Sequence, residues 1–115
     1  MPASDRDYAS LWDMVQSIKL IQAFVAPLSY KEYLQSRRDQ MAVERGLEIL
    51  GEAARRVSEP FQQAHPEIDW RNTIGLRNII AHRYEQVQQD RLWAIVTVDL
   101  NRLLAQLEPL LPEEL

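Results

Sequence analysis

A chain of 115 residues, 46% hydrophobic and without cysteine, has room for one core but not two, is too apolar to be disordered, and can form neither disulfides nor thiolate metal sites. Its formal net charge of −4 argues against a protein that coats nucleic acid nonspecifically, because that affinity comes from basic surface. The charge is uneven: residues 1–36 carry three basic and four acidic side chains, residues 37–83 eight and seven, and residues 84–115 two and six, so a local basic cleft is compatible with an acidic whole.

Few breakers and long periodic runs predict helices. Ser4 or Asp5 can cap a first helix, in which Tyr8, Leu11, Trp12, Val15, Ile18, Ile21 and Val25 form an apolar stripe widened by Met14 and Phe24. Pro27 ends it. Ser29 and Glu32 have capping-box spacing and open a short helix, with Tyr33 and Leu34 turned to the core. A long helix follows from near Asp39 to Ser58, apolar along Met41, Val43, Leu47, Leu50, Ala54 and Val57 and stopped by Pro60. The connector Phe61 to Pro66 holds a short helical turn, and Asp69 caps a helix from Trp70 to about Ala81. A polar link from Glu85 to Gln89 leads to a last helix capped by Asp90 and ended by Pro109 and Pro112. The expected architecture is an all-α antiparallel bundle of four to five helices, one domain over residues 1–115. The apolar surplus on the first and last helices hints at a homodimer seam. The polar, acidic start lacks a signal core, and no run reaches the roughly 18 apolar residues of a membrane span, so a cytoplasmic protein without membrane contact is expected.

One stretch departs from ordinary amphipathic helix: Arg77-Asn78-Ile79-Ile80-Ala81-His82-Arg83-Tyr84. Histidine titrates near neutral pH and can move either proton of an RNA cleavage, while arginine presents a planar, permanently charged fork to phosphate oxygens. At about 100° per residue Asn78 and His82 share a face, whereas Arg77 and His82 point roughly 140° apart, so a distorted helix end or a second copy of the chain is needed to bring them together. His82 could equally cap the end of its helix as a cation. His65, beside Pro66 in a connector, reads as a solvated loop residue. No metal and no cofactor are expected: there is no His-Glu-x-x-His pattern, and Glu44, Glu48 and Glu52 read as a solvated or salt-bridged stripe that Arg45, Arg55 and Arg56 could neutralise.

Arg77-x4-His82-x-Tyr84 resembles the Arg-x4-His-x-Tyr signature of HepT-like toxins in the HEPN (higher eukaryote and prokaryote nucleotide-binding) superfamily. Similar supporting segments are Asp5-Arg6-Asp7-Tyr8, the run from Arg45 to Ala54, His65 to Arg71, Gly75 to His82, and Trp93 to Leu100. The resemblance covers essentially the whole chain. It implies a homodimeric helical bundle that cuts RNA without metal, with Arg77 and His82 of both protomers lining a shared cleft and with Asn78 as a positioning residue. It also implies a type VII toxin–antitoxin system, in which the partner is a minimal nucleotidyltransferase, the MntA antitoxin, that moves AMP from ATP onto the motif tyrosine, here Tyr84. Arg83 adds a cation that could serve RNA or the modified tyrosine. No Gly-Ser followed by an Asp-x-Asp pair occurs, so the transferase must be another chain. The alternative is a catalytically inert HEPN module that only docks a nucleotidyltransferase.

Overall fold

The computed structural model describes residues 4–81 and 88–112, without the side chain of Ala81. Helix α1 is Asp5–Val25, α2 Tyr30–Gln35, α3 Arg37–Arg56, α4 Glu59–Ala64 and α5 Trp70–Ala81. The last helical rod comprises α6 (Gln89–Ala94), a π-helical turn (Ile95–Asp99) and α7 (Leu100–Leu107), followed by a 3₁₀ turn at Glu108–Leu110. Among the described residues there is no strand. The fold is all-α, as expected.

Helix α3 is the centre of the bundle, packed on α1 along one side and on α5 along another. Leu11, Met14, Val15, Ile18 and Ile21 of α1 meet Val43, Leu47, Leu50 and Ala54 of α3, and Leu76, Ile80, Leu92, Val96, Leu100 and Leu107 complete the same buried cluster. Burial of each such leucine stabilises the fold by about 1.5–3 kcal/mol. Two glycines set how closely the helices approach. A Cβ on Gly46 would lie 2.5 Å from Cγ1 of Ile21, and one on Gly51 would lie 3.1 Å from the Thr73 carbonyl oxygen and 3.2 Å from the Arg77 nitrogen. Glycine inside a helix costs about 1 kcal/mol against alanine, and at these positions close packing is what it permits.

Serine caps account for most helix starts. The Ser4 hydroxyl accepts from the Asp7 N–H at 3.1 Å. At Ser29 both halves of the capping box form, at 3.1 and 2.9 Å. Ser36 caps α3, so that helix begins at Arg37 rather than near Asp39. It also ends at Arg56, because Ser58 caps the next helix instead of closing the long one. Pro60 therefore stops nothing: it sits in the first turn of α4, where a missing N–H costs no intrahelical bond. Asp69 caps α5 as expected, through a 3.2 Å bond from the Asn72 N–H. Asp90 does not cap the last rod; Gln88 occupies that position without a side-chain bond, and Gln89 is already helical.

The Ser58 cap is also a tether. Its N–H and hydroxyl donate to the two Asp7 carboxylate oxygens at 2.7 and 2.8 Å, tying the start of α1 to the α3–α4 junction. Burial alone would push the Asp7 pKa up, but the Ser58 backbone and hydroxyl, joined by Ser4, outweigh it and hold the group below its ordinary value. Several apolar residues assigned to the core are instead exposed: Trp12, Phe24, Leu34 and Met41. A stripe drawn from periodicity alone is wider than the surface its neighbours cover.

Candidate functional site

Of the expected site residues, Arg77 and Asn78 are described, in the second half of α5; His82, Arg83 and Tyr84 lie outside the described residues. The Gly51 contact lays α3 directly against the backbone of α5 at Arg77. Glu52, the next residue of α3, reaches the arginine side chain. The Arg77 guanidinium Nη1 donates to Glu52 Oε2 at 3.1 Å, while Arg55 Nη2 donates to Glu52 Oε1 at 2.7 Å. The hydrogen bond from Arg55 first, then the charges of Arg55, Arg77 and Arg56, hold the Glu52 carboxyl below the usual carboxylate range against some loss of hydration. Glu52 is thus ionised at neutral pH and holds Arg77 by one edge. A guanidinium has five N–H donors, so most of the Arg77 fork remains available to a ligand.

Asn78, the next residue, looks elsewhere. It lines a groove of about 800 Å³ between α5 and the last helical rod. Adjacent helical residues diverge by about 100°, and here that divergence separates a clamped cation from an amide at a groove wall.

The glutamate stripe on α3 is salt-bridged, at two of its three positions in the way local spacing suggests. Arg45 pairs with Glu48 at 3.8 Å and Arg55 with Glu52, but Arg56 turns to Asp13 of α1 at 3.7 Å. Glu44 is not solvated at all: it is 2% exposed, and its Oε2 accepts from Arg37 at 2.7 Å and from the Gln89 amide at 2.8 Å. The Tyr33 hydroxyl donates to Gln89 Oε1 at 2.6 Å. Burial, then the Glu44 charge, push the Tyr33 hydroxyl above its ordinary value, so it remains a donor. This network fixes the start of the last rod just as Glu52 fixes Arg77, so α3 grips the chain on both sides of the motif's second half. Sequence reasoning missed Tyr33, Arg37 and Gln89 because no local spacing links them. Among the described residues no group of three or more His, Asp or Glu side chains is arranged to hold a metal ion. His65 is partly buried on Phe61, its Nδ1 3.3 Å from Glu67 Oε2, and it packs in its connector rather than standing free in solvent.

Fold and motif together define a small all-α bundle of the HEPN type. Residues 14–110 match the ribonuclease HepT-like family, and the chain belongs to this family of ribonucleases. A Thermococcus cleftensis protein bearing the name ribonuclease HepT is 36% identical over 110 residues, covering 96% of this chain and 98% of that protein. A Methanocaldococcus jannaschii protein provisionally named an RNase is 34% identical over 106 residues, 91% of this chain and 97% of that one. A second such protein from the same organism is 28% identical over 105 residues, 91% of this chain and 87% of its own length. No solved structure matches the chain significantly. Among the described residues no helix is long and apolar enough to cross a membrane.

Proposed function

We propose that residues 1–115 form the metal-independent endoribonuclease toxin of a type VII HepT/MntA toxin–antitoxin pair. The observation that carries the reading is Arg77 itself: a cation held in place by Glu52 while keeping most of its donors free, within a family of ribonucleases. In the proposed reaction His82 takes the proton of a ribose 2′-hydroxyl as its oxygen attacks the adjacent phosphorus. The 5′-oxygen leaves with a proton, from the second protomer's His82 in a homodimer, and a 2′,3′-cyclic phosphate remains. Arg77 stabilises the charge that develops on the phosphoryl oxygens, with Asn78 and Arg83 positioning the strand. Exposed Trp12, Leu20 and Phe24 on α1 support a homodimer, because large apolar side chains on one helix favour an apolar partner.

Silencing would fall to a partner nucleotidyltransferase. The Tyr84 oxygen attacks the α-phosphorus of ATP, pyrophosphate leaves, and the resulting AMP diester brings bulk and negative charge beside the cationic motif, competing with RNA. The test is cleavage of RNA by the purified chain in the presence of EDTA, with analysis of the product ends. Cutting that survives chelator and leaves cyclic phosphate is expected; no cutting by the pure chain, or cutting abolished by EDTA, would reject the mechanism. Co-expression with the transferase should add AMP mass to a peptide containing Tyr84, and a neutralised toxin with unmodified Tyr84 would reject the switch.

A further inference from the structure

Ten arginines lie among the described residues, and six of them pair with a carboxylate: Arg37, Arg38, Arg45, Arg55, Arg56 and Arg77. Of the four that make no ion pair or side-chain hydrogen bond among the described residues, three line a single feature. Arg71 on α5, Arg91 on α6 and Arg102 on α7 all border the groove that Asn78 enters. All three are exposed. Two carboxylates share the lining, Asp69 and Asp99, and both Asp69 oxygens are already taken by Asn72. Three arginines against Asp69 and Asp99 leave the lining with a net charge of +1, in a protein of net charge −4.

The walls are built to hold it there. Arg71, Gly75 and Asn78 follow one another along one face of α5, at four- and three-residue steps. Opposite them, Arg91 on α6 and Arg102 on α7 border the groove from either side of the π-helical turn in the last rod. Gly75 leaves the middle of the groove clear: a Cβ there would meet nothing within 4 Å. Between the arginines the lining is aliphatic, with Ile74, Ile95 and Leu103, and no aromatic side chain belongs to it.

We propose that this groove binds the phosphodiester backbone of single-stranded RNA and leads it to the Asn78 end of α5; the proposal rests on the ribonuclease reading for the identity of the strand. Arginine forks match phosphate oxygens, and their spread along both walls suits a chain of phosphates rather than one isolated anion. A flexible single strand can follow such a groove. Without an aromatic platform for stacking, affinity comes from charge, so binding is strongly salt-dependent and tolerant of base sequence. A second copy of this chain fits less well: a two-fold interface would set uncompensated arginines against one another in a desolvated seam.

The test is binding of a short, uncleavable 2′-O-methyl oligoribonucleotide by the full chain, followed by fluorescence anisotropy across a range of salt. Arg71→Gln, Arg91→Gln and Arg102→Gln are each expected to weaken binding several-fold and to lower the salt slope by about 0.7. Gly75→Glu, which fills open space with an opposing charge, should weaken binding at least as much with a melting temperature no lower than that of wild type, and Asp99→Asn should strengthen it. Unchanged affinity and slope in all three arginine variants would overturn the proposal. So would variants that split a dimer in sedimentation while leaving RNA affinity intact, which would make the groove a self-interface. The two readings fail separately. Tight binding of the uncleavable strand without cutting of natural RNA rejects only the nuclease, whereas undiminished cutting by the triple arginine variant rejects only the groove.

Discussion

Arg77 and Arg71 stand on the same helix in opposite circumstances. Arg77 is clamped by a carboxylate from α3, whose own ionisation is secured by Arg55. Arg71 has no partner among the described residues and faces a groove with two more arginines like it. A held guanidinium loses little entropy when it meets a transition state and sits where geometry requires it, which suits chemistry. A free one can follow a moving strand and release counterions, which suits capture. On the proposed reading the two arginines do different work, although composition cannot tell them apart.

The most severe way to test it is to remove the clamped group. Arg77→Ala, like His82→Ala, is expected to reduce RNA cleavage by about 10²–10³-fold in a single-turnover assay. Arg77→Ala should do so with a near-normal melting curve, since its side chain is about half exposed. Cleavage within a few-fold of wild type would remove Arg77 from the chemistry.

A second approach moves the helix rather than the residue. Gly51→Leu forces a side chain toward α5 backbone atoms 3.1–3.3 Å from the Cβ position, and it should destabilise the fold in urea by about 1–3 kcal/mol while displacing Arg77 from Glu52. Gly75→Ala, on the same pair of helices but facing open space, should stabilise by about 1 kcal/mol. Equal effects at the two glycines would mean that the close approach is not what positions the clamp.

The smallest expected effect is a control distant from both arginine sets. Asp7 has a native pKa below its ordinary 3.8, so its contribution to stability is present above that value and lost as pH falls through the lowered native one. Asp7→Asn should therefore melt lower than wild type at pH 6, and the gap should close as pH drops below 3.8. A gap that persists unchanged in strong acid would contradict the Asp7–Ser58 tether as its cause.

Much of this was readable from local pattern. The Ser29–Glu32 box, the Ser4 and Asp69 caps and the all-α class each depend on residues a few positions apart, and those signals survive folding. The misplaced end of α3 came from treating Pro60 as a stop, although proline is also at home in a helix's first turn. Exposed Trp12 and Met41 mislead because hydrophobicity alone does not say how much surface the neighbours cover. The π-helical turn at Ile95–Asp99 has no periodic signature. The Glu52–Arg77 clamp joins residues from two helices, and the groove needs two elements and the space between them, so neither is visible along a single chain. The assignments of His82, Arg83 and Tyr84 rest on the motif, outside the described residues.

The division of labour is open to one direct measurement: steady-state cleavage of a single labelled RNA by wild type, Glu52→Gln and Arg91→Gln. Loss of the clamp should lower kcat roughly tenfold with little change in KM, because Arg77 is then misplaced only in the reacting complex. Loss of a groove arginine should raise KM and leave kcat near wild type. If both substitutions change the same parameter, or if Glu52→Gln changes neither, the distinction between held and free arginines is wrong.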